Sequence, residues 1–424
     1  VPDRADVVVV GGGLAALSAA ASLAQAGVGV RVYDRGHFDG RPGGGIVSGT
    51  TLAPLGGPSV PMEAPYDRNV GERKWLFLTG EGDVTLDFLD APSPMPSEGL
   101  HTVRHSTLAP WLAERAKTLG ADLRPGAVVE GLQRDRRGAI CGVRVAGADV
   151  DAQVTILADG GGLRPVPSAR MEPPTVDVAE SYWRLPAATV SSRLGGRPGY
   201  GNVLEILLGD LAPGQAAGGY LLPFRSGVAV GVVAPMGPGT APNATQLLGR
   251  LEGHPSVEPF LRGGVRGPIS HTELSDRPDI GRPLSGAGFL TAGTAAGLMA
   301  ASGTRFLAVD AALRSGLLAA NVARDAVGSH DASALELGSY RLLLGSDGLL
   351  GELRAARASG KRFRAAPGVA RDIPRLMNAL FHDLMTETGA PKRRIVETLR
   401  ATRKSQRVTR RTLLRAGLVA GRWV

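Results

Sequence analysis

Apolar positions along the chain follow two rhythms. At the N-terminus the unbroken run DVVVV (6–10) meets the glycines of GGGLAALSAAASLAQAG, and VGVRVYDR follows. A short apolar run closed by glycines reads as a buried strand, and the small-residue stretch after it as a helix, so the chain opens with a predicted βαβ unit. Residues 41–58 are rich in Gly and Pro and read as loop. KWLFL and DVTLDFL, within 73–90, are strand-like. RHSTLAPWLAERAKTL (104–119) predicts a helix with Leu108, Leu112 and Ala116 on one face. ADLRPGAVVEGLQRD and GAICGVRVAG predict a small meander, and AQVTILADGGG a strand ending in a glycine turn. From about 176 to 270 the rhythm changes: GNVLEILLG, GGYLLPF and GVAVGVVAP alternate with turn residues and predict an inserted antiparallel sheet. GFLTAGTAAG returns to the strand–turn–helix style, and the chain beyond about 330 reads as mostly helical.

Composition narrows this picture. The 424 residues suffice for two or three domain-sized units. The 60 Gly and 30 Pro punctuate apolar runs rather than repeat at a fixed period, which favours an α/β fold with tight turns. Cys141 is the single cysteine, so intramolecular disulfides and a cluster on four thiolates of this chain are excluded; in AICGVRV it reads as a small core residue. VPDRADVVVV lacks the pattern of a signal peptide, and no uncharged apolar stretch reaches the ~18–20 residues that span a bilayer, so a cytoplasmic protein is expected.

The net charge of +9 is concentrated at one end: residues 391–424 hold eleven Lys and Arg against the single Glu397, so the body is close to neutral. Three readings of this tail stand side by side: an amphipathic helix on the anionic inner face of a membrane, a dock for an acidic electron carrier, and a solvated helix packed on the body. Nucleic acid is not an expected partner, since no nucleic-acid motif accompanies the basic tail.

Three glycine turns carry the chemistry. Gly11, Gly13 and Ala16 form G-x-G-x-x-A between a strand and a helix, and Asp34 ends the next strand. Gly11 permits the tight turn, Gly13 lets the backbone approach a pyrophosphate, the helix start offers unpaired N–H groups, and Asp34 accepts from ribose hydroxyls. ILADGGG (156–162) and AGTAAGLM are ordinary turns when taken singly; in this order all three fit around one extended ligand.

At these residues the chain resembles FAD-dependent oxidoreductases of the FixC and geranylgeranyl reductase type, relatives of electron-transfer-flavoprotein:quinone oxidoreductase. The resemblance runs from VVVVGGGLAALSAAASLAQAGVGVRVYDRG through LHTVRHSTLAPWLAERAKTLGADLRPGAVVEGL and VTILADGGG to GFLTAGTAAGL. RKWLFLTGEGDVTLDF, GGYLLPFRSGVAVGVVA, LEGHPSVEPFLRGG and DASALELGSYRLLL extend it over most of the chain. It implies an α/β protein with a Rossmann-like FAD-binding domain of glutathione-reductase type in three pieces (1–55, 100–170, 270–330). An inserted antiparallel β-sheet substrate domain (56–99, 171–269) and a helical C-terminal region (331–424) complete it. It further implies FAD contacts from Gly11, Gly13, Leu14, Ala15, Ala16, Asp34, Arg35, Gly44, Gly45, Arg104, Val129, Asp159, Gly160, Gly293, Thr294, Gly297, Leu298 and Met299. Thr294 departs from the family, which has Asp there; a hydroxyl accepts from the ribityl chain without charge assistance.

No nucleophile–base set and no metal-ligand cluster is evident, and His101 and His105 straddle a strand-to-helix junction. A flavoenzyme needs neither, because the isoalloxazine carries the redox step. The catalytic residues therefore stay unassigned. Trp183, Tyr220 and Phe224 are expected as a roof over the flavin, or simply as sheet core. The expected activity is hydride or electron transfer between an organic, apolar substrate and a separate ferredoxin-like or other acidic carrier. The alternatives are an FAD-dependent monooxygenase and a non-catalytic subunit that has lost FAD.

Overall fold

The computed structural model describes residues 3–55, 64–80, 82–89, 99–163, 173–195, 199–237, 242–275, 282–387 and 394–414. Two large sheets divide the chain. In the first, five parallel strands lie in the order Phe289–Thr291, Ala148–Leu157, β1 (Asp3–Val10), β2 (Val30–Asp34), Asp122–Pro125. The apolar run Val7–Val10 is buried on both faces, as parallel strands require. Val7, Val9, Val32 and Ile156 face helices; Val8, Val10, Tyr33 and Leu157 face the predicted meander, Val129–Arg134 and Ile140–Val145.

Helix α1 (Leu14–Gln25) lies close to this sheet because one side of it is nearly all alanine. It also packs against the long helix Val309–Ser329, where Gly316 sits against the Ala15 carbonyl and the Ser18 hydroxyl, leaving no room for a side chain. Leu17 and Leu23 are fully buried between these layers, each stabilising the fold by roughly 1.5–3 kcal/mol.

The second sheet has nine strands, ordered Val265–Leu274, Val176–Arg184, Gly227–Pro235, Gly218–Phe224, Tyr200–Leu207, Arg68–Leu78, Leu100–Arg104, Gly44–Ser48, with Asp83–Leu89 paired to Arg68–Leu78. One face packs on helices Ala187–Leu194 and Ala244–Glu252; the other faces the first domain. The sheet is mixed rather than purely antiparallel. Tyr200–Leu207 runs parallel to Arg68–Leu78, which the long excursion of the chain through the first domain makes feasible.

The 41–58 segment differs from its loop reading: Gly44–Ser48 is a strand paired with Leu100–Arg104, and Gly49–Leu52 a short helix capped by Ser48. Its glycines are packing residues, since Gly44 lies under the Val103 carbonyl and Gly45 against Val309. Both strands, expected within the FAD-binding pieces, thus hydrogen-bond into the second sheet. The C-terminal region is helical as expected, with Ser339–Ser346, Leu349–Arg364, Pro367–Met385 and Ile395–Ser405. Thr402 ties the last of these to Asp383 (2.8 Å), and the end of the basic tail, from Arg415 to Trp423, lies outside the described residues. No helix among the described residues is long and apolar enough to cross a membrane.

Candidate functional site

The three glycine turns hang from the C-terminal ends of three adjacent parallel strands. Ala158 N–H donates to the Val10 carbonyl (2.8 Å) and Ala292 N–H to that of Leu157 (2.9 Å), so each turn starts at the same level. Gly11 has φ +117°, and a Cβ there would fall on the Ala158 carbonyl. Glycine is obligatory where the first and second turns touch. Gly293, at φ +61°, rests against Ala15 Cβ of α1, and its N–H donates to the Ser315 hydroxyl (3.0 Å) of the Val309–Ser329 helix, fixing the third turn against both helices. A Cβ on Gly160 would lie 3.8 Å from Thr294 Oγ1, so the second and third turns also meet.

Gly13 is different: an added Cβ would meet no protein atom within 4 Å. It is the N-cap of α1, and no side chain caps that helix start. Open space beside uncapped N–H groups suits an anion. Asp34 closes β2 nearby, its carboxylate accepting from Gly36 N–H (2.9 Å). Ala127 N–H donates to the Asp34 carbonyl and Gly126 N–H to that of Gly36 (both 2.9 Å), which brings the strand beginning at Val129 beside Asp34 and the exposed Arg35. The arrangement fits FAD: room for pyrophosphate at Gly13, a ribose acceptor at Asp34, and an open edge towards Val129.

Other expected residues sit in different settings. Asp159 turns inward, accepting from Gly161 N–H (3.1 Å) and Leu163 N–H (2.7 Å), and so shapes its own turn. Arg104 pairs with the buried Asp67 (3.2 Å). Leu298 is core, and half-buried Met299 packs beside Tyr220 and Phe224 on the second sheet. Gly297, at φ +70°, ends the third turn.

Two arginines escaped the sequence reading. Arg282 donates to the carbonyls of Thr294 and Ala295 (both 2.9 Å). From the other side the buried Arg357 binds the carbonyls of Gly297 and Met299, the latter at 2.8 Å. The third turn is clamped through its carbonyl oxygens. Arg357 was within reach of a helical-period reading, because it continues the buried stripe Leu349, Leu350, Leu353, Gly360. A charged residue on such a stripe must find acceptors. Arg282, an isolated arginine before a short strand, leaves no such signal.

A cavity of about 180 Å³ opens between the second sheet and the segment 304–311. Gly44, Gly45, Ile46, Leu100, Val203, Leu222 and Leu307 give it a largely aliphatic wall, with Arg73, Glu205, Tyr220, Arg305 and Asp310 among its polar members. Of the three expected roof aromatics, Tyr220 lines it. Phe224 is buried beneath Gly44. Strand alternation turns Trp183 to the opposite face, where its indole N–H donates to Glu252 (2.9 Å).

Two buried carboxylates stand on the cavity side of this sheet. Glu205 accepts from Thr304 (2.8 Å) and pairs with Arg305 (3.1 Å). Glu180 accepts from Tyr220 Oη (2.7 Å) and from the Gly44 backbone; burial pushes it up to about 7 despite these bonds. Burial, with Arg41 adding to it, pushes His105 down to about 4 against a hydrogen bond to the Pro42 backbone, so its imidazole is neutral. His101 stacks on Tyr66 (3.9 Å between centroids), and no metal-binding cluster occurs among the described residues.

Comparison with known proteins agrees with this fold. Residues 9–63 match the NAD(P)-binding Rossmann-like domain family. The chain is 28% identical over 401 residues to the "Probable electron transfer flavoprotein-quinone oxidoreductase YdiS" of Escherichia coli K12, covering 92% of each chain. It is 30% identical over 402 residues to Protein FixC of the same organism, again covering 92% of each. The crystal structure of a geranylgeranyl bacteriochlorophyll reductase-like protein from Thermoplasma acidophilum shares the fold, with a TM-score of 0.65 at 18% identity over 96% of this chain and 97% of that one. The Rossmann-like turns, the inserted sheet and the FixC match together establish that the chain belongs to the FixC family of FAD-dependent oxidoreductases.

Proposed function

We propose that this protein passes electron pairs between an electron carrier and a quinone-class acceptor, through FAD held by the three glycine turns. The observation that carries the reading is the largely aliphatic cavity on the sheet face against which Met299 packs, beside the turn that the family resemblance gives to the isoalloxazine. The bound flavin supplies the hydride and electron chemistry. The chain supplies the rest: Gly13 and the start of α1 take the pyrophosphate, Asp34 the ribose, Thr294 the ribityl chain, and Gly44, Gly45 and Met299 the ring system. Ile46, Leu100, Val203 and Leu222 exclude water from the acceptor.

The relative named as a flavoprotein–quinone oxidoreductase supports both ends of this transfer. The described part of the basic tail offers a docking surface: Ile395, Val396 and Leu399 stand exposed beside Arg394, Arg400 and Arg403. Its charge suits an acidic carrier protein, and its exposed aliphatic residues suit the edge of an anionic membrane where a lipid-soluble quinone resides. The test is the visible spectrum of the purified protein under anaerobic reduction, followed by addition of a short-chain quinone. A flavin band that bleaches and then returns with the quinone supports the reading. A colourless protein that takes up no FAD contradicts it, and reoxidation only by oxygen with hydroxylated product would point to a monooxygenase.

A further inference from the structure

Glu180 and Glu205 lie in one row across the second sheet. Strand register sets Glu205 opposite Tyr220, Tyr220 opposite Gly231, and Gly231 opposite Glu180. All four therefore project to the same face. Gly231 has no side chain, and the Tyr220 ring lies across the space it leaves, so close that a Cβ there would overlap the ring. That gap lets Tyr220 Oη span a whole strand and donate to Glu180.

The two carboxylates are neutralised differently. Glu205 has Arg305. The polar groups facing Glu180 from each neighbouring strand are Tyr220 from 218–224 and the Gly44 N–H from 44–48. Ser270, from 265–274, bonds its backbone carbonyl, and 227–235 presents only Gly231. All are uncharged, and the charged group in the row is Glu205, paired with Arg305, beyond Tyr220. Without a cationic partner among the described residues, a buried carboxylate is stabilised by taking up a proton. Gly43, Gly44 and Tyr220 bring the carboxyl to the cavity wall: a Cβ on Gly43 would touch Glu180 Oε1, and Gly44 and Tyr220 both line the cavity.

We propose that Glu180 is a redox-linked proton site: it takes up a proton from water when an electron pair enters the cofactor and releases it when the pair leaves with the acceptor. The inference rests on the function proposed above. On reduction the Oε–H bond forms and the carboxylate becomes a carboxylic acid, offsetting the added negative charge through a low-dielectric wall. On reoxidation that bond breaks, and the proton joins the two-electron, two-proton conversion of quinone to quinol. The Glu180 value of about 7 places it where a nearby electron pair shifts its occupancy at neutral pH. Tyr220 is the positioning residue that holds the carboxyl in this uncharged setting.

The test is the number of protons taken up per electron pair, from the pH dependence of the flavin midpoint potential between pH 6 and 8, together with redox-difference infrared spectra. Wild type, Glu180→Gln and Tyr220→Phe are compared, with FAD content and melting temperature verifying the fold. Wild type is expected to show a protonated-carboxyl band appearing on reduction. Glu180→Gln should lose that band and roughly half a proton per pair at pH 7, rising towards one near pH 8; Tyr220→Phe should keep the band at a shifted frequency. An unchanged proton count in Glu180→Gln, or a wild-type spectrum without the band, overturns the proposal while leaving the flavin function intact. A protein that binds no FAD instead fails the function itself, and the inference falls with it.

Discussion

The two walls of the site are built from different materials. The proposed cofactor cradle is made largely of backbone: glycines at Gly11, Gly160 and Gly293 bring three turns together, and its proposed side-chain ligand groups are the Asp34 carboxylate and the Thr294 hydroxyl. The cavity wall is made mostly of side chains drawn from residues 44 to 353, with the buried Glu205 and the partly exposed Arg73, Arg305 and Asp310 among them. A backbone cradle tolerates neighbours of many kinds but no Cβ where it meets other atoms most closely, as at Gly11 and Gly293. A side-chain wall tolerates backbone variation but depends on each buried charge finding compensation.

Gly11→Val should break the comparison most strongly on the cradle side. A branched side chain at φ +117°, directed onto the Ala158 carbonyl, should cost more than about 3 kcal/mol in urea unfolding and abolish FAD uptake.

Glu180→Gln probes the cavity wall through pH. The folded-state value of about 7 lies above the ordinary 4.5, so its contribution to stability is full below about 4.5 and is lost as pH rises through about 7. The stability of wild type relative to Glu180→Gln should fall by about 3 kcal/mol across that window. His105 acts in the opposite sense: its contribution is full above 6.5 and lost as pH falls towards about 4. Both proteins keep His105, so their difference isolates Glu180.

Thr294→Asp is the smallest change. It restores the family's carboxylate between two arginines, with Arg41 reaching towards Gly160 and Arg282 on the turn's carbonyls. FAD should bind about 5-fold tighter, on the order of 1 kcal/mol. Unchanged affinity would mean that the hydroxyl and backbone already satisfy the ribityl chain.

The same contrast separates the parts of the molecule that are legible in the sequence from those that are not. The βαβ opening, the Asp-Gly turn, the inserted sheet and the helical end are readable because glycine spacing and apolar periodicity are local signals. The Gly44–Ser48 strand is not, because its glycines read as loop until Val103 and Val309 are seen to need the space. The Glu205–Tyr220–Gly231–Glu180 row depends on register across four strands, which no single stretch of sequence displays. Trp183 fails as a roof residue for the same reason: one position along a strand changes the face.

The central claim, that Gly13 faces FAD rather than protein, is tested most directly by calorimetric titration of FAD into Gly13→Val. An added Cβ there meets no protein atom within 4 Å, so the FAD-free fold should lose no more than about 1 kcal/mol, the scale of a poorer N-cap. FAD affinity should fall by at least about 100-fold, equivalent to roughly 3 kcal/mol. A Gly13→Val protein that binds FAD as wild type does would contradict the assignment of this cradle to the cofactor.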